Sequence, residues 1–280
     1  MFGLFRRSPE ATATPSAAAP VPAPGPLPVA AKALPNFGRF LAGYQAFGAE
    51  MDAYKAAQTV DFTWYPYNTL ANVEHLRPLV TAETDHLFAP GRHLADIGAA
   101  DGLFSFFAER LGLPCDIYDN GPTNMNGLRA ARRIAHDLQS KVRIFEVDLD
   151  AQFTLTEDRY DVVFFLGILY HLKNPFFALE RLSYATDHLF VSTRVVRHFR
   201  AGGPDLSDNA AAYLVSPVET NNDSTNYWMF TNAGLKRIFE RTGWEIVGYR
   251  TVGDVTASNP QDSDHDERAF ALLRSLRPKG

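Results

Sequence analysis

The sequence predicts an α/β fold: a Rossmann-like, seven-stranded, mostly parallel sheet that ends in an antiparallel hairpin, with a helical cap ahead of it. Three observations predict it. Residues 93–112, HLADIGAADGLFSFFAERLG, run from a short apolar strand through the turn Gly98-Ala99-Ala100-Asp101-Gly102 into an amphipathic helix, the opening of a nucleotide-binding α/β unit. Downstream, apolar runs alternate with helical patterns, as parallel strands covered on both faces require. The last two runs, 244–252 and 268–276, are joined by an acidic loop and no helix, so they should pair antiparallel at one edge of the sheet.

Taken in order, the chain opens with a tract over 8–35 of Ala, Pro, Thr and Ser in which Pro20, Pro22, Pro24, Pro26 and Pro28 alternate with small residues. It offers no core, so residues 1–35 are expected to form a disordered arm. A helical cap or lid is expected over 36–88. Phe37, Phe40, Leu41, Tyr44, Phe47 and Met51 recur at helical spacing, although Gly38, Gly43 and Gly48 weaken the helix. Trp64, Tyr65 and Tyr67 cluster around Pro66, either to pack on the domain or to close over a ligand, and a short helix follows from Thr69. The ligand-binding domain is expected over 89–280. Its second strand, 115–118, ends at Asp119. Thr123 is placed to cap a helix carrying Met125, Leu128, Ala131, Ile134 and Leu138. The third strand, 142–147, leads to Asp148. The nearly continuous apolar run 160–167 reads as the central buried strand, followed by Leu169-Tyr170-His171. Asn174 and Pro175 suit the cap and first position of the next helix, and 188–196 the fifth strand. Thr231 opens a helix with Leu235, Ile238 and Phe239, which Gly243 ends. The stretch 198–227, rich in Gly, Asn, Asp and Ser, reads as a binding insertion.

The totals narrow the class. A chain of 280 residues, 46% hydrophobic and 21% charged, has the composition of a globular protein. The formal net charge of −5 argues against a general nucleic-acid binder, which shows a basic face. A single cysteine, Cys115, forbids an intrachain disulfide or Cys-rich zinc site, and no bound metal is expected. No apolar run reaches membrane-span length, and Met1–Arg7 has no hydrophobic stretch behind its charges. A cytoplasmic protein is expected.

The carboxylates of the glycine turn decide the ligand. A loop that grips a pyrophosphate needs N–H groups and positive potential, and Asp96 and Asp101 would repel it. They would attract a cation. S-adenosylmethionine (SAM) carries an ammonium and a sulfonium and no phosphate, so the run 96–102, DIGAADG, resembles the first motif of class I SAM-dependent methyltransferases. The positions expected to hold this cofactor are Asp96, Gly98, Ala100 and Gly102 of the first turn, Asp119 and Asn120 after the second strand, Asp148 after the third and Leu166 at the end of the fourth. Asp119 follows Asp96 at about the 20-residue distance of a ribose-binding acid; it equally suits the turn that Asn120-Gly121-Pro122 makes. Asp148 is placed to accept from an adenine amino group.

Two blocks carry a finer resemblance, YDVVFFLGILYHLKNPF (160–176) and NYWMFTNAGLKRIFERTGW (226–244). They resemble the tRNA wobble-uridine carboxymethyltransferases and the methyltransferases built like them. The resemblance implies that Tyr170, Trp64 and Arg268 bind the cofactor. Those tRNA enzymes use a SAM derivative with an extra carboxylate, held partly by lysines. Here the segment Trp64-Tyr65-Pro66-Tyr67-Asn68-Thr69 has none. The expectation is therefore ordinary SAM, and methyl transfer to an oxygen or nitrogen of a small-molecule or glycan-like acceptor. A tRNA-modifying enzyme and a non-catalytic SAM-binding protein remain the alternatives. His171 is the candidate general base and could instead only hold its loop. Arg194, Arg197, His198 and Arg200 would either favour an acidic or phosphorylated acceptor or balance the acids downstream.

Overall fold

The computed structural model describes residues 34–220 and 222–278. The arm expected over 1–35 lies outside the described residues except for its last two, and Leu34 already packs against the core. Among the described residues six α-helices form: α1 (Phe37–Ala57), α2 (Asn72–Leu76), α3 (Leu103–Arg110), α4 (Arg129–Asp137), α5 (Pro175–Ala185) and α6 (Asn232–Arg241). The strands are β1 (Leu94–Ile97), β2 (Cys115–Asp119), β3 (Arg143–Glu146), β4 (Tyr160–Leu166), β5 (Thr186–Val195), β6 (Ala212–Leu214), β7 (Trp228–Phe230), β8 (Trp244–Gly253) and β9 (Glu267–Ser275).

The main sheet runs β3-β2-β1-β4-β5-β9-β8. Its first five strands are parallel, and β9 lies antiparallel between β5 and β8. These are the seven strands and the closing hairpin that the sequence predicts. Among the described residues nine strands form rather than seven, because the expected insertion is not loop throughout. Just beyond it β7 bridges the end of β5 at Val195 and Phe230, and β6 pairs antiparallel with β7. This short ribbon fixes the insertion to the sheet.

The cap shares its core with one face of the sheet. Phe37, Phe40 and Phe47 of α1 meet Phe88, Phe104 and Phe107, and Phe88 reaches Phe164 and Phe190 on the sheet. Burying each such side chain contributes about 1.5–3 kcal/mol, which outweighs the roughly 1 kcal/mol that each glycine costs a helix. Two of those glycines are contact points. A Cβ at Gly43 would lie 3.2 Å from Phe107, and one at Gly48 would lie 2.6 Å from Asn68 Nδ2. Asp85, buried beneath the cap, accepts from the backbone N–H groups of Asn36 and Phe37 at 3.1 and 2.9 Å and so satisfies donors at the helix start.

The helix after β2 begins later than expected. Thr123 does not cap it, Met125 is exposed, and α4 starts at Arg129. Asn124 and Asn126 compete for the backbone: Asn124 Oδ1 accepts from the N–H groups of Asn126 and Leu128, and Asn126 Oδ1 from that of Ala130. Side chains that hydrogen-bond locally in this way hold turns in place of helix.

Candidate active site

A cleft of about 730 Å³ opens at the carboxyl ends of β1 to β4, where open α/β sheets receive ligands. Its floor is Ile97, Gly98, Ala100, Leu166 and Gly167. Gly98 has φ +73°, and a Cβ there would lie 2.0 Å from Ile168 Cδ1 and 2.4 Å from its Cγ1. Only glycine meets both demands, so the turn stays open toward the cleft. Ala100 is also left-handed, with φ +57°.

Asp119 stands at the end of β2 as expected. Its Oδ2 accepts from Ala100 N at 3.2 Å and Asn124 Nδ2 at 3.0 Å, and its Oδ1 from Asn120 N at 2.8 Å. Burial raises its pKa despite these bonds. Asn120 and Asp148 line the same end of the cleft. Asp148 is exposed, with Oδ1 taken by Asp150 N.

Tyr170, His171 and Arg268 line the other end. The Arg268 guanidinium lies over the Tyr170 ring, 5.6 Å from its centre. His171 Nδ1 is 2.9 Å from Thr225 Oγ1 and 3.1 Å from the Thr225 carbonyl oxygen. That leaves Nε2 to face a ligand. Burial holds the His171 pKa below its ordinary value, so the ring is neutral near pH 7.

Three expected cofactor positions do not line the cleft. Asp96 is turned inward, 6% exposed, and accepts from Ser105 Oγ at 2.9 Å; burial raises its pKa to about 7. Gly102 sits against Ile117 and Phe106 at the start of α3. Trp64 packs edge-on to Tyr54 and Phe62 in the cap. Asp101, the other acid of the turn, is spent on Lys55 Nζ at 2.7 Å, Tyr65 N at 3.0 Å and Asn126 Nδ2 at 2.9 Å. The cation attraction that pointed to the ligand therefore falls to Asp119 and Asp148.

No protein-family model and no curated protein sequence matches the chain. Solved structures do. A SAM-dependent methyltransferase from Mesorhizobium loti superposes with a TM-score of 0.51 at 16% identity, over 73% of this chain and 97% of that one. The chain has the class I methyltransferase fold. Within that fold it is also similar to the N-terminal domain of EvdMO1, crystallised with S-adenosylhomocysteine (SAH) and D-fucose, with a TM-score of 0.52 at 15% identity over 81% and 95% of the two chains. The [4+2]-cyclase SpnF matches equally, at 0.52 and 14% identity over 86% and 97%. A methyltransferase fold that also carries a cyclase does not by itself name a reaction.

The cleft also takes in residues outside the expected cofactor positions. Tyr65, Tyr67, Asn68, Thr69 and His75 of the cap form one wall, and Asn226 and Tyr227 face the cleft from the insertion. The aromatic cluster around Pro66 hinted at the first. No local pattern marks Asn226. Three side chains of the basic run 194–200 meet acids or backbone carbonyls. Arg194 pairs with Asp266 at 2.6 Å, Arg197 grips Glu267 at 2.9 and 3.0 Å, and His198 bonds the backbone carbonyls of Gly203 and Thr256. Among the described residues no helix is long and apolar enough to cross a membrane.

Proposed function

We propose that the chain is a SAM-dependent methyltransferase that acts on an oxygen or nitrogen of a small molecule. One observation carries this reading: a half-buried carboxylate, Asp119, at the end of β2 faces a cleft floored by a left-handed glycine turn and free of a phosphate-binding cation at that end. Two ribose hydroxyls donating to one carboxylate is a favourable arrangement. Asp148 suits an adenine amino group, and Leu166 and Tyr170 suit the apolar part of the ligand. The likeness to structures that hold SAH supports it.

Bound SAM would supply an electrophilic methyl group. The chain's part is to hold the acceptor in line with it, and such positioning can account for much of a rate enhancement. His171 suits the role of base, since its Nδ1 is fixed by Thr225 and its neutral Nε2 can take a proton from a hydroxyl or amine. Calorimetry with SAM and SAH tests the reading; tight binding of NADH with no response to either would overturn it. Asp119→Ala should weaken SAH binding by about 1–3 kcal/mol, the cost of unpairing charged hydrogen bonds. Asp119→Asn, which can keep the loop bonds, should separate the ligand's share from the loop's. Unchanged affinity in both would remove Asp119 from the site.

We propose ordinary SAM as the donor. The cap wall that would flank an added carboxylate offers tyrosines, amides, a hydroxyl and His75, whose pKa burial holds below its ordinary value, and Lys55 of the cap is committed to Asp101. Carboxy-SAM should bind no tighter than SAM in a competition titration, and a wobble-uridine tRNA should emerge unmodified from a nucleoside assay. A preference for carboxy-SAM of about tenfold or more, or a carboxymethylated uridine, would restore the tRNA reading.

A further inference from the structure

The two ends of the cleft differ in charge. Asp119 and Asp148 stand at one; Arg194, Arg268 and Lys173 stand at the other, beside His75 and His171, whose pKa values burial holds below the ordinary one. Asp150, between them, holds the N–H groups of Lys173 and Asn174. Asp223 faces the cationic end, but its Oδ1 is taken by Thr225 N and Oγ1.

The arginines are short of partners. Among the described residues, Asp266 is the only carboxylate within ion-pairing distance of Arg268, and that contact is long, 3.5 Å from Nε to Oδ2. The other oxygen of Asp266 bonds Arg194 Nε at 2.6 Å. One carboxylate thus serves two guanidinium groups, and the side chain of Arg194 is 7% exposed. A second observation lies on the same rim. Asn226, 4% exposed, donates from Nδ2 to Thr220 O at 3.3 Å, while its buried Oδ1 has no hydrogen-bond partner. The backbone ties the two together, because Tyr227 N donates to Tyr170 O at 2.8 Å and Arg268 lies over the Tyr170 ring. Buried polar groups are almost always paired; the Asn226 oxygen is not, Arg194 shares its carboxylate, and the Arg268 side chain, 36% exposed, stands open beside them, so together they mark a place for a ligand.

We propose that the acceptor carries an oxyanion, a carboxylate or a phosphate, which Arg268 receives. The inference rests on the methyltransferase reading and specifies its substrate class. A guanidinium presents two parallel N–H donors that match either group. Tyr67, Tyr170, Tyr227 and Phe270 line the space around it, so the body of the acceptor is a ring or a similarly flat apolar surface. A hydroxyl or amine on that body would satisfy Asn226 Oδ1.

The test is calorimetric titration of the SAH-saturated protein with benzoate, phenyl phosphate and benzyl alcohol at constant ionic strength in chloride. At least one of the two anions should bind about tenfold or more tighter than the alcohol, and the tighter of them tells carboxylate from phosphate. Arg268→Gln should erase most of that advantage; SAH affinity is measured alongside, because the resemblance also gives Arg268 to the cofactor. Arg268→Lys, which keeps the charge and loses the fork, should fall between. Equal binding of all three probes, or no binding of any, overturns the proposal. So does a loss of SAH affinity in Arg268→Gln as large as the loss of anion affinity, since the guanidinium would then serve the cofactor. If Arg268→Gln fails to fold, the ratio in the wild-type protein and its decline with salt decide. Absence of SAH binding is a separate outcome: it sinks the methyltransferase reading, and the anion titrations on the ligand-free protein still decide the site.

Discussion

Glu267→Ala should destabilise the protein by about 3–5 kcal/mol, the cost of leaving one member of a buried ion pair alone. Glu267 is fully buried at the start of β9. Its carboxylate takes Arg197 Nε and Nη2 at 2.9 and 3.0 Å and Ser258 Oγ at 2.8 Å. Removing it leaves a guanidinium that is itself 19% exposed with the more distant Asp205, at 3.8 Å, and Ser207 Oγ, at 3.4 Å. For a chain of this size each kcal/mol moves Tm by about 2–4 °C, so a fall near 10 °C is expected in a thermal melt. Replacing both partners with methionine should recover much of the loss, because a well-packed apolar pair often equals a buried ionic one. A change below about 1 kcal/mol in the single variant would show that water already serves Arg197 and that the pair does not hold β9 in place.

Asp96→Asn should change how stability depends on pH. Burial raises the Asp96 pKa to about 7, against the pull of the Ser105 hydroxyl. Between the unfolded value, near 4, and about 7 the native state keeps a proton that the unfolded chain releases. Native binding of more protons means that stability falls as pH rises through that window. The contribution is fully present below pH 4 and gone above pH 7. Three pKa units correspond to about 4 kcal/mol at most. Asparagine keeps an oxygen for Ser105 and does not ionise. Its variant should match the wild type near pH 4, where the native state must still survive other acid losses, and exceed it by about 2–4 kcal/mol at pH 8. Urea midpoints at pH 5 and pH 8 read this directly. Parallel pH slopes in the two proteins would mean that Asp96 ionises freely.

The positions of the main strands along the chain were legible because buried parallel strands must be apolar along their length, and 160–166 shows it plainly. The Asn174-Pro175 and Thr231 helix starts were legible because a side-chain cap acts over three residues: Asn174 accepts from Phe177 N and Thr231 from Gly234 N. Thr123 failed for the converse reason. Two asparagines three and one residues closer to the helix bind the same local N–H groups. The β6–β7 ribbon was not legible, since three-residue strands carry too short an alternation to stand out. At the cleft, proximity in sequence to the glycine turn misled. Asp96 and Gly102 belong to the turn's support, packed against Ser105, Ile117 and Phe106. Trp64 stands next to two cleft tyrosines and faces away from them. The pairings of Arg194 with Asp266 and of Arg197 with Glu267 span 72 and 70 residues, and no local pattern announces a contact across that distance.

The placement of β9 also bears on how the chain folds. β5 is flanked by β4 on one side and, on the other, by β9, whose partner residues lie 72 (Val195 to Glu267) to 86 (His188 to Arg274) positions further along the chain. Pairings so distant in sequence are slow to form. During synthesis the β5 backbone would present an open, ten-residue edge of unpaired N–H and C=O groups until the ribosome has released residues 267–275. Such an edge can template pairing with another chain. Truncations within the last hairpin should therefore yield aggregates in preference to a smaller soluble domain, and productive folding should be sensitive to holdase chaperones that occupy that edge until β9 arrives.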